Sequence, residues 1–339
     1  MTTSHRLAPV IEMTARPSNR DFDLNPSYGT DRGQVEYDFD GVLIGTAEYA
    51  EGPTGATVIS VPAGARTFID RRGGAIGVTG LYAYNHAICL AGGSVYGLAA
   101  TAGVEETLFE RVGFRAGFDQ LQLASGAIIY DYSVRENSIF PDARLGSAAL
   151  RAARQGVAEV GLVGGGASAS AGKIDPARVE MTGQGVAFRQ IGDVKVLVVT
   201  VLNPYGVIVD RDNRIVRGNY DAATGERRHP SADYEDAIGE SRLADPVAGN
   251  TTITTVVTNV RLSDVELRQF GLQVHSSMHR GIQPFHTQLD GDTLFALTTD
   301  EVSLPADPAT SRGRLSLTAT AIGSMASETA WDAILCAAG

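Results

Sequence analysis

The run Ala248-Gly249-Asn250-Thr251-Thr252-Ile253 puts a hydroxyl residue directly after a glycine and an asparagine, at the head of a strand-like stretch reaching Val260. Residues of these types can cut their own backbone. If the Thr251 hydroxyl attacks the carbonyl of Asn250, the amide becomes an ester, and water opening that ester frees the Thr251 amine. Gly249 tolerates the strained backbone that such an attack requires. The freed amine can then serve as base for its own hydroxyl, because an α-amino group titrates at about 7.7–8.0 and is partly unprotonated near neutral pH. No histidine is needed. Two plainer readings fit the same letters: Asn250-Thr251-Thr252 is a glycosylation sequon, and Gly-Asn before a strand is an ordinary turn. The sequon is weakly supported, since residues 1–40 are polar, carry Arg6, Arg16 and Arg20, and show no apolar central region of a secretory signal.

The elements that must position this nucleophile can be read from the rest of the chain. With 339 residues and 43% hydrophobic content it can bury a large core. Residues 1–40 form an N-terminal arm, loose through residue 36, and residues 41–339 a single domain. The segment 41–61 reads as strands broken by the turn Glu51-Gly52-Pro53, and 194–202 as a buried strand. Alanine-rich helices are expected over 94–110 and 145–155, between glycine joints at Gly73-Gly74, Gly92-Gly93 and Gly164-Gly165-Gly166. The polar, charged segment 210–246 reads as an exposed connector running up to the cut. Beyond it lie a strand over 252–260 and the capping box Ser263-x-x-Glu266, before a helix with Leu267, Phe270, Val274 and Met278 on one face. A strand over 292–299 and a last helix over 315–337, containing the single Trp331, complete the series. Strands around the nucleophile with helices on either side predict a layered α/β sandwich, sheets inside and helices outside.

Composition sets further bounds. Apolar runs such as 196–202 are far shorter than the roughly 20 residues that span a bilayer, so no membrane span is expected. The formal net charge of −11 disfavours nucleic acid and anionic membranes. Cys89 and Cys336 sit far apart in apolar surroundings, which suits free thiols in a reducing cytoplasm better than a disulfide.

Five separated motifs together resemble one family: Gly249-Asn250-Thr251-Thr252-Ile253, Thr258-Asn259-Val260, Ala91-Gly92-Gly93-Ser94-x-Tyr96-Gly97-Leu98, Ala169-Ser170-Ala171-Gly172-Lys173, and Pro284-Phe285-His286-Thr287-x-x-Asp290-Gly291-Asp292. They resemble the DmpA-type self-cleaving aminopeptidases and, within them, the nylon-oligomer hydrolases, from about residue 41 to the end of the chain. The resemblance implies an αββα sandwich of the DmpA-like N-terminal-nucleophile type. It also implies autocleavage between Asn250 and Thr251 into an α chain 1–250 and a β chain 251–339 that stay in one folded unit, a homotetramer of such units, and endo-hydrolysis of linear 6-aminohexanoate oligomers. Most of the wider family uses serine as nucleophile and the nylon-oligomer branch threonine, with which this sequence sides. No cofactor is implied.

By the same resemblance Lys173 and Asn203 match an active-site lysine and asparagine, Asp290 and Asp292 an aspartate pair, and Tyr130 a tyrosine near the oxyanion. Physical chemistry supplies roles for them. A lysine beside the Thr251 amine disfavours its protonation. The Asn203 amide, in Leu202-Asn203-Pro204, can donate to a tetrahedral oxyanion. In an extended segment Asp290 and Asp292 point to one side, where they could face Thr251 and orient its amine or hold a substrate ammonium. Each has a plain alternative: a solvated loop lysine, an Asn-Pro turn, an Asp-Gly hairpin and a core aromatic. Two other activities remain open, an aminopeptidase for D- or β-amino-acid peptides and an ornithine-acetyltransferase-like acyltransferase. So does a structural protein in which the 250–251 bond stays intact.

Other constellations fail. His275 and His279 are four apart, but Ser276 stands where a zinc-binding His-Glu-x-x-His needs glutamate, so no metal is implied. Ala167 and Ile174 break a phosphate-loop pattern ending at Lys173, Phe188 breaks a dinucleotide fingerprint starting at Gly183, and no Gly-x-Ser-x-Gly elbow occurs.

Overall fold

In chain order the main elements are β1 Leu43–Tyr49, β2 Thr54–Gly73, β3 Tyr84–Ala91, α1 Ala99–Arg111, β4 Ala124–Ile128, α2 Ala143–Ala152, β5 Gln184–Ile191, β6 Val194–Asn203, α3 Pro230–Gly239, β7 Thr251–Val260, α4 Asp264–Ser277, β8 Gly291–Val302 and α5 Leu317–Ala338. They come from a computed structural model, which describes residues 15–29, 33–240, 249–304 and 317–339. The strands hydrogen-bond in the order β5-β6-β7-β8-β2-β3-β4, with β1 alongside β2. β7 runs parallel to β8, and β3 parallel to β4.

Strand β2 folds this ladder into two leaves. It is 20 residues long. Residues 54–60 pair with β1 and β3, the register with β3 slips between Ser60 and Ala65, and residues 66–73 pair with β8. Side-chain alternation shows what each leaf covers. On β6, Val196, Val198 and Leu202 face Phe270 and Val274 of α4 and Ile322, Ala330 and Ile334 of α5. Leu197, Val199 and Val201 point the other way, into a core shared with Ile59, Ile88 and Leu90 of the second leaf. On that leaf Val58, Ala87 and Cys89 turn outward against Ala100, Val104 and Leu108 of α1 and Leu145 and Ala149 of α2. Three apolar layers therefore separate four structural ones, the αββα sandwich expected from the sequence. Each fully buried Val, Leu or Ile contributes about 1.5–3 kcal/mol of transfer free energy.

Local chemistry sets the element ends. At the start of α4 the Ser263 hydroxyl accepts the Glu266 N–H while the Glu266 carboxylate accepts the Ser263 N–H at 2.8 Å, and Leu267, Phe270, Val274 and Met278 form the buried stripe. α2 begins where Asp142 accepts the Leu145 N–H at 3.0 Å. Cys89 is buried and Cys336 half-buried, both unpaired, and burial pushes the Cys89 thiol up to about 12.

Three expectations are modified. The helix expected over 94–110 is broken into Ser94–Gly97 and α1, because the entry through Gly93 and Ser94 is left-handed (φ 77° and 53°) and Gly97 packs directly on the Gly92 carbonyl. The connector over 210–246 is structured through residue 240. It contains α3 and the strands Ile215–Arg217, Tyr220–Asp221 and Glu226–Arg227, and Arg227 pairs with Glu180 at 2.7 Å. Residues 241–248 lie outside the described residues. Within the arm, residues 1–14 and 30–32 lie outside them too. What is described of it is fastened to the body: Ser27 bridges Glu48, Gln34–Glu36 pairs with Val157–Glu159, and Leu24, Tyr37 and Phe39 are buried. The first residues of the last predicted helix, 315–316, are likewise undescribed.

The α1–α2 crossing leaves no room for side chains at its closest point, where a Cβ on Gly146 would lie 1.9 Å from the Ala100 carbonyl oxygen and one on Gly103 1.8 Å from that of Ala143. Gly146→Ala is expected to lower the unfolding free energy by about 1–3 kcal/mol, the usual cost of overpacking, read from denaturant titration. Unchanged stability would show that the helices do not approach this closely.

Candidate active site

Thr251 begins β7 in a fixed register. It lies opposite Asn203 of β6, while on the other side Asn250 forms a parallel bridge with Asp290 and accepts the Gly291 N–H at 2.9 Å. The peptide between Asn250 and Thr251 is intact and buried, and the Thr251 hydroxyl donates to the Asn250 carbonyl oxygen. The hydroxyl of Thr251 thus rests on the carbonyl group of the residue before it. Gly249 ahead of it is left-handed (φ 86°) and lies flat on the Tyr130 ring, 2.3 Å from where a Cβ would be. Glycine at 249 is therefore dictated both by conformation and by contact.

Lys173 reaches the site through Asn203. Its Nζ donates to Asn203 Oδ1 at 2.6 Å and to the Asn203 carbonyl at 3.3 Å, and the Ser170 N–H adds a third bond to Oδ1 at 3.1 Å. With Oδ1 so occupied, the Asn203 amide nitrogen is turned toward the Tyr130 and Gly249 carbonyls, at 3.1 and 3.4 Å. Lys173 is wholly buried, and burial lowers its pKa to about 7 against the upward pull of Asp290 and Asp131. The loop bearing it is held from outside by the structured connector: Gly172, φ 74°, lies against the Gly218–Asn219 backbone.

Asp290 and Asp292 share a face, as their spacing requires, but it is the face opposite the Thr251 hydroxyl. A Cβ on Gly291 between them would lie 3.0 Å from Thr251 Oγ1, so its neighbours extend the other way, toward α4. Their carboxylates bind main-chain groups instead, and that of Asp292 does so next to Thr251. Asp292 Oδ1 accepts the Thr252 N–H at 2.7 Å and Asp290 Oδ1 the Tyr205 N–H at 3.1 Å. Residues 286 and 287 clamp the remaining oxygens in the same manner. His286 brings its N–H (3.1 Å) and Nδ1 (2.9 Å) to Asp292 Oδ2, and Thr287 its N–H (2.9 Å) and hydroxyl (2.6 Å) to Asp290 Oδ2. Both carboxyls are fully buried, and burial, with the neighbouring Asp290, raises the pKa of Asp292 well above the usual carboxylate range.

Every candidate singled out in the sequence, Thr251, Lys173, Asn203, Asp290, Asp292 and Tyr130, is brought to this one end of the sheet. Sequence reasoning missed Asp131, His286 and the Gly291 N–H. Asp131 is 1% exposed and accepts from Thr54 Oγ1, the Gly93 N–H and Arg135 at 2.6, 3.0 and 2.6 Å. Its signal was an acid between two tyrosines with an arginine four residues on. Gly92 is small because a Cβ there would lie 2.4 Å from Asp131 Oδ2. His275 is buried with Nδ1 at 2.9 Å from Asp70, and its ring meets that of His286 at 4.4 Å. Among the described residues no cluster of His, Cys, Asp or Glu is arranged to hold a metal, and no helix is long and apolar enough to cross a membrane.

Comparison with known proteins gives concordant matches. The model of peptidase family S58 matches residues 37–339. The chain is 60% identical over 319 residues, 94% of its length and 90% of the relative's, to a 6-aminohexanoate-oligomer endohydrolase of Paenarthrobacter ureafaciens. It is 60% identical over 322 residues, 95% and 91% of the two chains, to a 6-aminohexanoate-oligomer endohydrolase of Kocuria sp. strain KY2. Its fold is similar to that of the L-aminopeptidase D-Ala-esterase/amidase of Ochrobactrum anthropi, described as a variant of the Ntn hydrolase fold. The TM-score is 0.64 at 16% identity, over 95% of this chain and 90% of that one.

The depressed pKa of Lys173 has a consequence for stability. The folded protein gives up this proton near pH 7 and the unfolded chain only near 10.5, so in that window unfolding takes up a proton. Stability therefore rises as pH increases from 7 toward 10.5, with a slope of up to about 1.4 kcal/mol per pH unit, and the cost of the buried charge is complete below 7. Denaturant titrations at pH 7, 8 and 9 in an uncut Thr251→Ala background are expected to show this rise, and Lys173→Met to flatten it. Equal slopes would place the Lys173 titration elsewhere.

Proposed function

The chain belongs to peptidase family S58, and from that membership we propose that it is a self-cleaving amidase whose nucleophile is Thr251, acting on amide bonds within linear 6-aminohexanoate oligomers and related polyamide fragments. The observation that carries the mechanism is the seating of the Thr251 hydroxyl on the Asn250 carbonyl, with the Gly291 N–H on that same oxygen. The substrate class is supported by 60% identity over 94% of the chain to an endohydrolase of such oligomers.

These contacts support the following course of maturation. Thr251 Oγ attacks the Asn250 carbonyl carbon, and the charge growing on the oxygen is held by the Gly291 N–H. The C–N bond breaks, the hydroxyl proton ends on the departing Thr251 nitrogen, and an ester joins Asn250 to Oγ. Water hydrolyses the ester, restoring the hydroxyl and leaving a carboxylate on Asn250, a chain 1–250 and a chain 251–339. The new amine keeps its place in the sheet. Lys173, bonded to Asn203 one strand across, opposes protonation of that amine whenever it carries its own proton. The neutral carboxyl favoured for Asp292 keeps a second negative charge away from Asp290 while still holding the Thr252 N–H.

In turnover the Thr251 amine takes the hydroxyl proton as Oγ attacks the substrate carbonyl, and passes it to the leaving amine; water then opens the acyl-enzyme. The Asn203 amide N–H, directed by Lys173 and Ser170, donates to the substrate oxyanion once the Gly249 carbonyl has withdrawn from it. Such a donor contributes about 3–4 kcal/mol. The Tyr130 ring, against which Gly249 rests in the uncut chain, forms the wall for the acyl side of the substrate. The reading includes a homotetramer of αβ units in the cytoplasm, supported by the family resemblance and by the free thiols Cys89 and Cys336.

Denaturing electrophoresis with mass spectrometry tests the scheme. The wild type is expected to yield fragments 1–250 and 251–339, the second beginning Thr-Thr-Ile, and Thr251→Ala a single folded chain without turnover. Turnover by the variant would refute the nucleophile. Digests of a 6-aminohexanoate oligomer are expected to contain internal fragments; monomers alone, released from the amino end, would make the protein an aminopeptidase.

A further inference from the structure

His286 has no part in the scheme above, yet it makes the most specific contact with Asp292. Its backbone is left-handed, φ 60°, a conformation that non-glycine residues adopt at some cost. In that conformation its N–H and ring Nδ1 converge on one oxygen, Asp292 Oδ2, at 3.1 and 2.9 Å. The other oxygen holds the Thr252 N–H at 2.7 Å, the peptide immediately after the nucleophile. The line His286, Asp292, Thr252 therefore runs through three consecutive hydrogen-bonded groups to the residue whose amine and hydroxyl react.

The ring is half-buried between two other rings. It lies 3.8 Å, centroid to centroid, from Phe285 and 4.4 Å, edge-on, from His275 of α4. His275 is itself held by Asp70 of β2, and Asp70 by Arg72. Asp290, just ahead of β8, and Arg72 are the remaining charges that act on it, and burial followed by Arg72 lowers the His286 pKa to about 4. A neutral imidazole beside a carboxyl that favours its neutral form leaves one proton for the contact between them, on Nδ1 or on Oδ2.

We propose that His286 is a positioning residue for Asp292. It grips Oδ2 through backbone and ring, shares one proton with it, and leaves Oδ1 turned to the Thr252 N–H, so that the Thr251 amine is presented in line with its hydroxyl. This rests on Thr251 being the nucleophile, and the experiment separates the two claims: a wild type that is never cut before Thr251 refutes that reading, whereas the behaviour of His286 variants in a cut protein tests this one.

His286→Gly keeps the left-handed backbone and its N–H but deletes the ring. His286→Asn keeps the backbone, which asparagine tolerates, and puts an amide near Nδ1 that cannot take up a proton. Folding is checked by thermal melting, and processing, kcat, KM and the pH profile of kcat are measured. His286→Gly is expected to lower kcat about tenfold with KM within about twofold, to slow processing, and to displace the pH profile. His286→Asn is expected to return kcat to within about threefold of wild type while its profile stays displaced. Wild-type kcat and profile in a folded His286→Gly, or an asparagine variant as slow as the glycine one, would overturn the proposal. If His286→Gly does not fold, a pH profile of His286→Asn superimposable on wild type overturns it and a displaced one supports it.

Discussion

One peptide group held between two strands at one end of the sheet is the constraint on which the site depends. The Asn250–Thr251 bond has a strand on either side, with Asn203 of β6 opposite Thr251 and the Gly291 N–H of β8 on the Asn250 oxygen. A peptide in such a ladder cannot rotate away from a hydroxyl resting on its carbonyl. For the proposed intramolecular attack, the orientation otherwise reached by chance would be supplied by strand pairing, which lowers its entropic cost. Much of the surrounding detail protects that pairing: Gly249 flat on Tyr130, Gly291 without a side chain where one would press on Thr251 Oγ1 and the Ala75 carbonyl, and two carboxyls locking the backbone from the far face.

Burial makes these charges useful and also dangerous. Lys173, Asp131, Asp290 and Asp292 are all withdrawn from water, and an unpaired ion in such a place is strongly unfavourable. Each is answered locally. Asp131 is met by Arg135, Thr54 and the Gly93 N–H, Asp290 by Thr287 and the Tyr205 N–H, and Lys173 by both oxygens of Asn203. The price of burial falls on protonation instead, with Lys173 moved down toward neutrality and Asp292 up from the carboxylate range. Both shifts favour the uncharged forms, and they act on the two sides of the strand that carries Thr251.

How much of this was legible in the sequence follows from what is local and what is not. The strand beginning at Thr251, the capping box at Ser263 and Glu266, and the stripe from Leu267 to Met278 are written in periods of two and of three to four, which survive any tertiary context. That Asp290 and Asp292 share a face was equally a matter of period. Which face it is was not, because it depends on how β8 aligns with β7, a long-range register. The same holds for Asp131 and His286, whose partners Thr54 and Asp292 come from other segments. The split between Ser94–Gly97 and α1 was hidden because alanine-rich letters favour helix, while the close approach of Gly97 to the Gly92 carbonyl is visible only in space. The connector over 210–246 reads as polar loop, yet its Gly218–Asn219 backbone fits against Gly172 behind Lys173. Polarity reported its exposure and not its job of backing the site.

The place of the proposed cut, before Thr251, would let both halves remain together after it. Such a cut would fall at the first residue of β7, so scission would remove no rung of the ladder beyond Thr251. The segment 251–339 contributes β7, β8, α4 and α5, and each of its strands has a neighbour from the other side: β7 lies against β6 along eight registered pairs and β8 against β2 along another eight. The α4–α5 layer packs on β6 through Val196, Val198 and Leu202. Separating the two chains would therefore break both ladders and expose an entire apolar layer, whereas the gain in freedom from one cut bond is confined to the ends it creates. Under the proposed scheme, loss of the covalent link would cost the fold little, and the site would gain an amine at the one place where strand pairing has already aligned it.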